Sequence, residues 1–407
     1  MTRTVDVGPR ETLVVAVPDA GRRYLSLDSV RGLAALCVVF THMFGPVYFK
    51  TDASLSTMNP ALVLFQVTPL RVLWHAGAAV IIFFVLSGFV LSLPYCDGRP
   101  PRYGPYLVRR TCRIYIPYIV AVGCAVALKL ALYHGPFPAS REMNQEWGLP
   151  TTARSLLDHL ALITSTDQRY DPVTWSLTHE MRISIVFPLI MAVVLGLPTA
   201  VTVLLALAGV VVGIRGDSLL RSHLHWNIDV FLTVIYIPMF IAGALVARHR
   251  TALAGRFAAL AWPIRLALAL VAISLLAYHD LIPFNIARLP VQLYAQTLGA
   301  AMLIVVALGW ARCSDWLSRP VPVFLGRISY SLYLYHLLVL LALANLIRAP
   351  WPNSYVPLLA FCLTIPVSYL AYRLIEEPSI GLGRSLARRL SAAPGRRPPV
   401  EVGVEVR

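Results

Sequence analysis

The stretch SLDSVRGLAALCVVFTHMF, residues 26–44, directs the interpretation of the rest of the chain. It begins with polar residues and Arg31, then becomes an apolar run of the kind that crosses a membrane, and this run contains His42. Eleven residues make about three turns of an α-helix, so the two side chains lie on one face, about 16 Å apart. Because an ionisable group deep in a membrane helix is costly, His42 indicates a functional site. The alternative is a histidine hydrogen-bonded between packed helices.

The composition indicates a membrane protein. Of the 407 residues, 57% are hydrophobic and 14% are charged, and the mean hydropathy is +0.68. A soluble domain has about 25% charged residues. The net charge of +15 would suit a nucleic-acid partner, but its distribution along the chain follows membrane topology instead. We therefore expect the lipid bilayer, and no nucleic acid, as a partner.

Apolar segments of about 20 residues predict an all-α fold, a polytopic bundle of about ten transmembrane helices. The predicted spans are 29–48, 74–95, 114–134, 174–196, 198–214, 229–247, 266–280, 291–311, 328–347 and 355–375.

Basic residues set the predicted orientation. Most of the 35 Lys and Arg residues fall into alternate connecting segments, which are 1–31, 96–113, 248–265, 312–327 and 373–407. Under the positive-inside rule these segments are cytoplasmic, as are both termini. The sequence thus predicts a multi-pass protein of the plasma membrane.

Three regions are predicted. Residues 1–25 lack a signal-peptide pattern and are expected to form a cytoplasmic segment before an uncleaved first helix. Residues 26–380 form the membrane domain, and residues 381–407 are expected to be a basic, disordered cytoplasmic tail. The six cysteines have no paired spacing, so neither a metal site nor a disulfide framework is predicted.

The second span and the loop after it contain a candidate ligand surface. Ser87 and Gly88 follow two phenylalanines, and such small residues let a ligand or a neighbouring helix come close. Arg110 and Arg113 lie on one helical face at the predicted cytoplasmic start of the third span. Two guanidinium groups there suit a phosphate-bearing ligand, with an ordinary positive-inside cluster as the alternative.

A carboxylate in the fourth span is placed to meet the histidine of the first. Glu180 lies about 9 Å below the outer end of its helix, the predicted depth of His42. A carboxylate beside a histidine orients the ring and favours its protonated form, as a general base requires. A structural pair of Glu180 with Arg182 or with His179 is the alternative.

The ninth span opens with ISYSLYLYH, residues 328–336. Tyr333 and His336 lie within one turn, and His336 is at a depth similar to that of Ser87. His336 inside an apolar run indicates either helix packing or a site, while Tyr330 fits an interfacial aromatic belt.

Together these motifs resemble acyltransferase family 3, over roughly residues 24–380. The matching features, in order, are Arg31 with His42, FFxxSG at Phe83–Gly88, Arg110-x-x-Arg113, the Trp175-Ser-Leu block leading to Glu180, the run Ile328–His336, and the closing Glu-x-Pro at Glu376–Pro378.

The resemblance implies transfer of an acyl group from acyl-CoA, a co-substrate and not a bound cofactor, to a hydroxyl of a carbohydrate or a macrolide-like natural product. From their residue types and predicted depth, we expect His42 and Glu180 to be the catalytic residues. The residues expected to bind the donor are Arg31, Ser87, Gly88, Arg110 and Arg113. Those expected to bind the acceptor are Trp175, Tyr333 and His336. Larger members carry an extracytoplasmic hydrolase-like domain that is not seen here, which favours a small hydroxylated acceptor.

Buried His, Glu and Arg residues also suit a proton-coupled transporter. Such carriers tend to have two related halves with broken helices, and the sequence shows no such repeat. A scaffold protein without turnover is the third class considered.

Overall fold

The computed structural model describes residues 24–44, 68–136, 147–164, 169–219, 229–277, 288–348 and 355–391. Within these ranges the chain is helical, without β-strands. In chain order the helices are α1 (Leu25–Phe44), α2 (Ala76–Cys96), α3 (Tyr103–Leu132), α4 (Ala153–Leu160), α5 (Trp175–Gly196), α6 (Thr199–Leu219), α7 (Val230–Arg248), α8 (Arg250–Ala259), α9 (Trp262–Ala277), α10 (Arg288–Gly309), α11 (Ala311–Leu317), α12 (Pro320–Ile347), α13 (Val356–Ala371) and α14 (Glu377–Ser391).

The polytopic all-α bundle is confirmed. In the described part of the chain, nine helices are long and apolar enough to cross a membrane. The seventh predicted span corresponds to α9, a shorter apolar helix of 16 residues. A bilayer core needs about 20 residues for a perpendicular helix, so α9 falls short of that length by about one turn.

Two spans begin earlier than predicted. Helix α3 begins at Tyr103 and not near residue 114, and α12 begins at Pro320 and not at residue 328. In both cases the first turns carry arginines and prolines, which lower hydropathy but are compatible with the start of a helix. Arg110 and Arg113 therefore lie two to three turns inside α3, deeper than the sequence suggested.

The predicted disorder after residue 380 is wrong for its first part. A π-helical turn at Tyr372–Glu376 continues α13 into α14, which extends to Ser391. Its small residues Ser379, Gly383 and Ala387 recur every four positions and are buried, and the helix packs on α3. This buried face of small residues, which packs against α3, explains why the segment folds despite its basic composition. Residues 392–407 lie outside the described ranges.

Paired glycines bring the central helices into close contact. Helices α1 and α12 run in the same direction, and a Cβ added at Gly32 would overlap the backbone of Gly326. Helices α2 and α7 cross in the same way at Gly88 and Gly243. Close approach at small residues is the usual means of packing membrane helices. These two crossings fix the positions of α1, α2 and α12, three of the helices that line the candidate site.

Candidate active site

A cavity of about 330 Å³ lies between α1, α2, α3, α5, α12 and α14. Its polar lining residues are Arg31, Ser87, Tyr106, Arg109, Arg110, Arg113, Ser176, Glu180, Ser329, Tyr330, Tyr333 and Arg384. Six of the site residues predicted from the sequence are among them, although they come from five different helices. The structure therefore brings Arg31, Ser87, Arg110, Arg113, Glu180 and Tyr333 to one cavity.

Glu180 is held by α2 and α3. Its Oε1 accepts hydrogen bonds from Arg110 Nη2 at 2.8 Å and from Ser87 Oγ at 3.0 Å. Arg110 also donates to Ser184 Oγ from Nε, at 3.1 Å, and from Nη2, at 2.9 Å. This network fixes the carboxylate and the guanidinium against each other in the cavity wall.

The expected pairing of Glu180 with His42 is not found, because the carboxylate faces Arg110 instead. The two structural alternatives are not found either. His179 bonds to Thr233 Oγ1 at 2.9 Å, and Arg182 pairs with Asp229 at 2.8 Å. Each residue turns the helix by about 100°, so neighbours of Glu180 point toward other elements.

The arginines of the cavity differ in their partners. Arg31 pairs with Asp28 at 3.3 Å, and Arg110 pairs with Glu180. Arg109, Arg113 and Arg384 are exposed to solvent or to the cavity, and the structure gives them no hydrogen bond or ion pair with any residue that it describes. Guanidinium groups without a carboxylate partner attract and fork onto anionic oxygens. This end of the cavity is suited to a phosphate-bearing ligand.

His42 pairs with His336. Its Nδ1 lies 2.9 Å from Nε2 of His336, and the two rings stack with centroids 5.0 Å apart. His42 follows Gly32 by ten residues, and His336 follows Gly326 by ten. Because the two helices cross at this glycine pair and run in the same direction, the two rings arrive at the same level.

The contacts of His336 determine which nitrogen of His42 can accept a proton. His336 Nδ1 lies 3.1 Å from the carbonyl oxygen of Leu332, which can only accept, so Nδ1 carries the hydrogen. In the neutral ring Nε2 then accepts, and His42 must donate to it from Nδ1. This assignment leaves Nε2 as the basic nitrogen of His42.

Tyr333 stands between the cavity and the histidine pair. Its hydroxyl donates to the carbonyl of Val173 at 2.9 Å and lies 2.7 Å from Ser176 Oγ. The ring is 5.6 Å from that of Phe83, edge to face, and 6.2 Å from that of His336. His42 and His336 do not line the cavity. The cavity therefore reaches Tyr333 but does not extend to the two histidine rings.

The comparison with protein families agrees with these motifs. The family model described as an acyltransferase domain, Acyl_transf_3, matches residues 24–373. The chain belongs to acyltransferase family 3. The comparisons with curated proteins and with solved structures each found no match. The chain is thus a multi-pass membrane acyltransferase, and α14 lies beyond the family match.

Besides His336, two residues assigned to ligands in this acyltransferase lie away from the cavity. Gly88 packs against the backbone of Phe240 on α7, so the helix-packing alternative holds for it. The Trp175 ring packs against His179 and Tyr236, with centroids 5.9 Å and 5.7 Å apart, and does not line the cavity.

Sequence reasoning missed two arginines of the acyltransferase cavity. Arg109 precedes Arg113 by one helical turn, and extending α3 to its true start would have identified it. Arg384 carries no such signal, because its place depends on how α14 folds back onto α3. Across the described residues, no group of three or more His, Cys, Asp or Glu side chains is placed to hold a metal ion.

Proposed function

We propose that this membrane acyltransferase transfers an acyl group from acyl-CoA to a hydroxyl of a carbohydrate or macrolide-like natural product at the plasma membrane. The observation that carries the proposal is the cavity itself. One end presents guanidinium groups without carboxylate partners, and the other ends at Tyr333, next to the histidine pair.

The donor enters at the arginine end. Arg113 and Arg31 bind phosphate oxygens, while Arg110 keeps its contact with Glu180. The pantetheine arm then extends along an apolar wall that includes Val80, Phe83 and Leu91. A cavity of about 330 Å³ accommodates this arm, with the nucleotide remaining at the mouth.

His42 acts as the general base. Its Nε2 takes the proton of the acceptor hydroxyl as the oxygen attacks the thioester carbonyl. The C–S bond then breaks, and the departing CoA thiolate takes the proton back from His42, so that an ester and free CoA are formed. Glu180 supports this step by holding Arg110 in the donor site, and His336 supports it by fixing the Nδ1–H tautomer of His42.

Phe83 and Tyr333 must separate for the thioester to reach His42. Their rings are held by packing and by the two contacts of the Tyr333 hydroxyl. Gating by a small side-chain rearrangement is common in enzymes that protect a reactive group from water. Donor binding and catalysis are therefore separate steps in this proposal.

The test is acyl transfer by the purified protein with labelled acyl-CoA and a panel of hydroxylated acceptors. General base catalysis contributes about 10²–10⁴-fold, so His42→Ala should lower kcat by that factor with little change in the KM for acyl-CoA. His336→Leu should lower kcat as well, and His336→Gln, which retains an acceptor for Nδ1–H, should retain more activity.

His249→Ala serves as the control, because this histidine bonds to Thr199 away from the cavity. Near-normal transfer by His42→Ala would show that the base is misassigned. Accumulation of unmodified solute in vesicles, without an acylated product, would indicate a transporter instead.

A further inference from the structure

We propose that α14 completes the donor site, with Arg384 and Arg109 binding the 3′-phosphate of the acyl-CoA nucleotide. This inference rests on the proposed function and adds to it a binding element that lies beyond the family match at residues 24–373.

Close packing brings α14 to the arginine-bearing turns of α3. A Cβ added at Gly383 would lie 2.9 Å from Cys112 Cβ and 3.4 Å from Arg109 Cα. Gly383 has no side chain, so α14 can lie directly on this part of α3. The next residue, Arg384, is thereby placed beside Arg109 at the cavity wall.

Helix α14 has three faces with different environments. Ser379, Gly383 and Ala387 are buried, while Leu382, Leu386 and Leu390 form an exposed apolar stripe. Ile380 and Arg384, one turn apart, form a third face that lines the cavity. The exposed leucines suit contact with lipid. Arg384 therefore lies on the face of α14 that lines the cavity and not on the face with the exposed leucines.

The carboxylates near Arg109, Arg113 and Arg384 bind other groups, so these three guanidinium groups can bind the oxygens of an anionic ligand. Glu180 is engaged by Arg110, and Glu376 accepts hydrogen bonds from the backbone N–H of Ser331 at 3.2 Å and from its hydroxyl at 2.7 Å. Neither carboxylate pairs with Arg384, and the same holds for Arg109 and Arg113.

CoA carries a pyrophosphate and a 3′-phosphate, so it can occupy several such guanidinium groups. Arg109 lies one turn, about 6 Å, farther from the histidine pair than Arg113. Arg109 and Arg384 therefore meet the part of the donor most distant from the thioester, which is the phosphorylated ribose.

The test uses the full-length protein in nanodiscs of phosphatidylcholine, with three donors that carry the same acyl group: acyl-CoA, acyl-3′-dephospho-CoA and acyl-pantetheine. Arg384→Ala should raise the KM for acyl-CoA by roughly tenfold, the loss expected for one charge-assisted contact. It should leave the KM for the other two donors unchanged. Arg389→Ala, on the same helix but about 140° around it, is the matched control.

An unchanged KM for acyl-CoA, or an equal rise for all three donors, would overturn the inference. Repeating the assay with phosphatidylglycerol in the nanodiscs separates the two sources of phosphate. If the effect of Arg384→Ala appears only with the anionic lipid, the residue binds a lipid headgroup and the inference fails. Absence of acyl-CoA turnover by the unmodified protein would instead refute the proposed function.

Discussion

At the scale of single residues, Glu180 shows how one carboxylate organises the arginine end of the cavity. Its side chain is 18% exposed and that of Arg110 is 11% exposed, so the pair is mostly removed from solvent. A charge in such a place is costly without its partner. We infer that Glu180 keeps Arg110 in a fixed position and neutralises one charge of an otherwise cationic wall.

A double-mutant cycle of Glu180→Ala and Arg110→Ala should give a coupling free energy of about 2 kcal/mol, near the lower end for close, mostly buried charge pairs. The measurement is unfolding in mixed micelles of increasing SDS content. The exposed pair Arg373 and Glu377, at 2.8 Å, is the control and should couple by less than about 1 kcal/mol. Equal coupling in the two pairs would contradict the structural role given to Glu180.

The sequence could identify most of these residues but not their partners. Glu180 stood out because ionisable groups in apolar helices are rare, and Arg110 because Arg113 follows it at helical spacing. The depth argument then joined Glu180 to His42, whereas the structure joins it to Ser87 and Arg110. Depth fixes only the level of a side chain, and the rotation of each helix about its axis follows from packing that one sequence does not reveal.

At the scale of elements, the crossing of α1 and α12 sets the geometry of the histidine pair. The backbones meet at Gly32 and Gly326, and Ser29 Oγ donates to the carbonyl of Leu317 at 2.6 Å on the same side. The glycine contact fixes the register of α1 against α12, and the Ser29 hydrogen bond joins α1 to α11. His42 and His336 then face each other as a consequence of that register.

Gly326→Ala should therefore reduce both stability and turnover. The added methyl group would overlap the backbone at Asp28, and overpacking of this kind costs about 1–3 kcal/mol. The measurements are SDS-induced unfolding and kcat. Gly123→Ala is the control, because a Cβ there meets nothing within 4 Å. If both variants behaved like the unmodified protein, the crossing would not determine the site.

Hydropathy predicted where the membrane helices lie along the chain. It did not predict where all of them begin and end. The starts of α3 and α12 and the whole of α14 were misjudged because their arginines lower local hydropathy. In α3 and α14, arginines such as Arg109 and Arg384 line the cavity while small or apolar residues pack. A hydropathy window cannot separate these two faces of one helix.

At the scale of the whole molecule, the distribution of positive charge predicts how the helix bundle is oriented in the membrane. The net charge is +15, and the arginine end of the cavity lies at the side predicted to be cytoplasmic. A cavity lined by one sign of charge concentrates ligands of the opposite sign. The donor should therefore be drawn from the cytoplasm.

Inverted membrane vesicles should turn over externally added acyl-CoA, and right-side-out vesicles should not, because acyl-CoA does not cross a bilayer. Permeabilising the right-side-out vesicles with a mild detergent should restore turnover and serves as the control. Equal activity of intact vesicles of both orientations would refute the predicted topology.

The inner end of the cavity, at Phe83 and Tyr333, affects how easily protons cross the membrane. A charged cavity that extends into a bilayer shortens the apolar layer that separates the two aqueous sides. Protons then leak more easily down the transmembrane potential. The rings of Phe83 and Tyr333, which pack edge to face, form an apolar part of the lining of that cavity. In the proposed mechanism these rings limit proton leakage while a highly charged nucleotide occupies the mouth of the cavity.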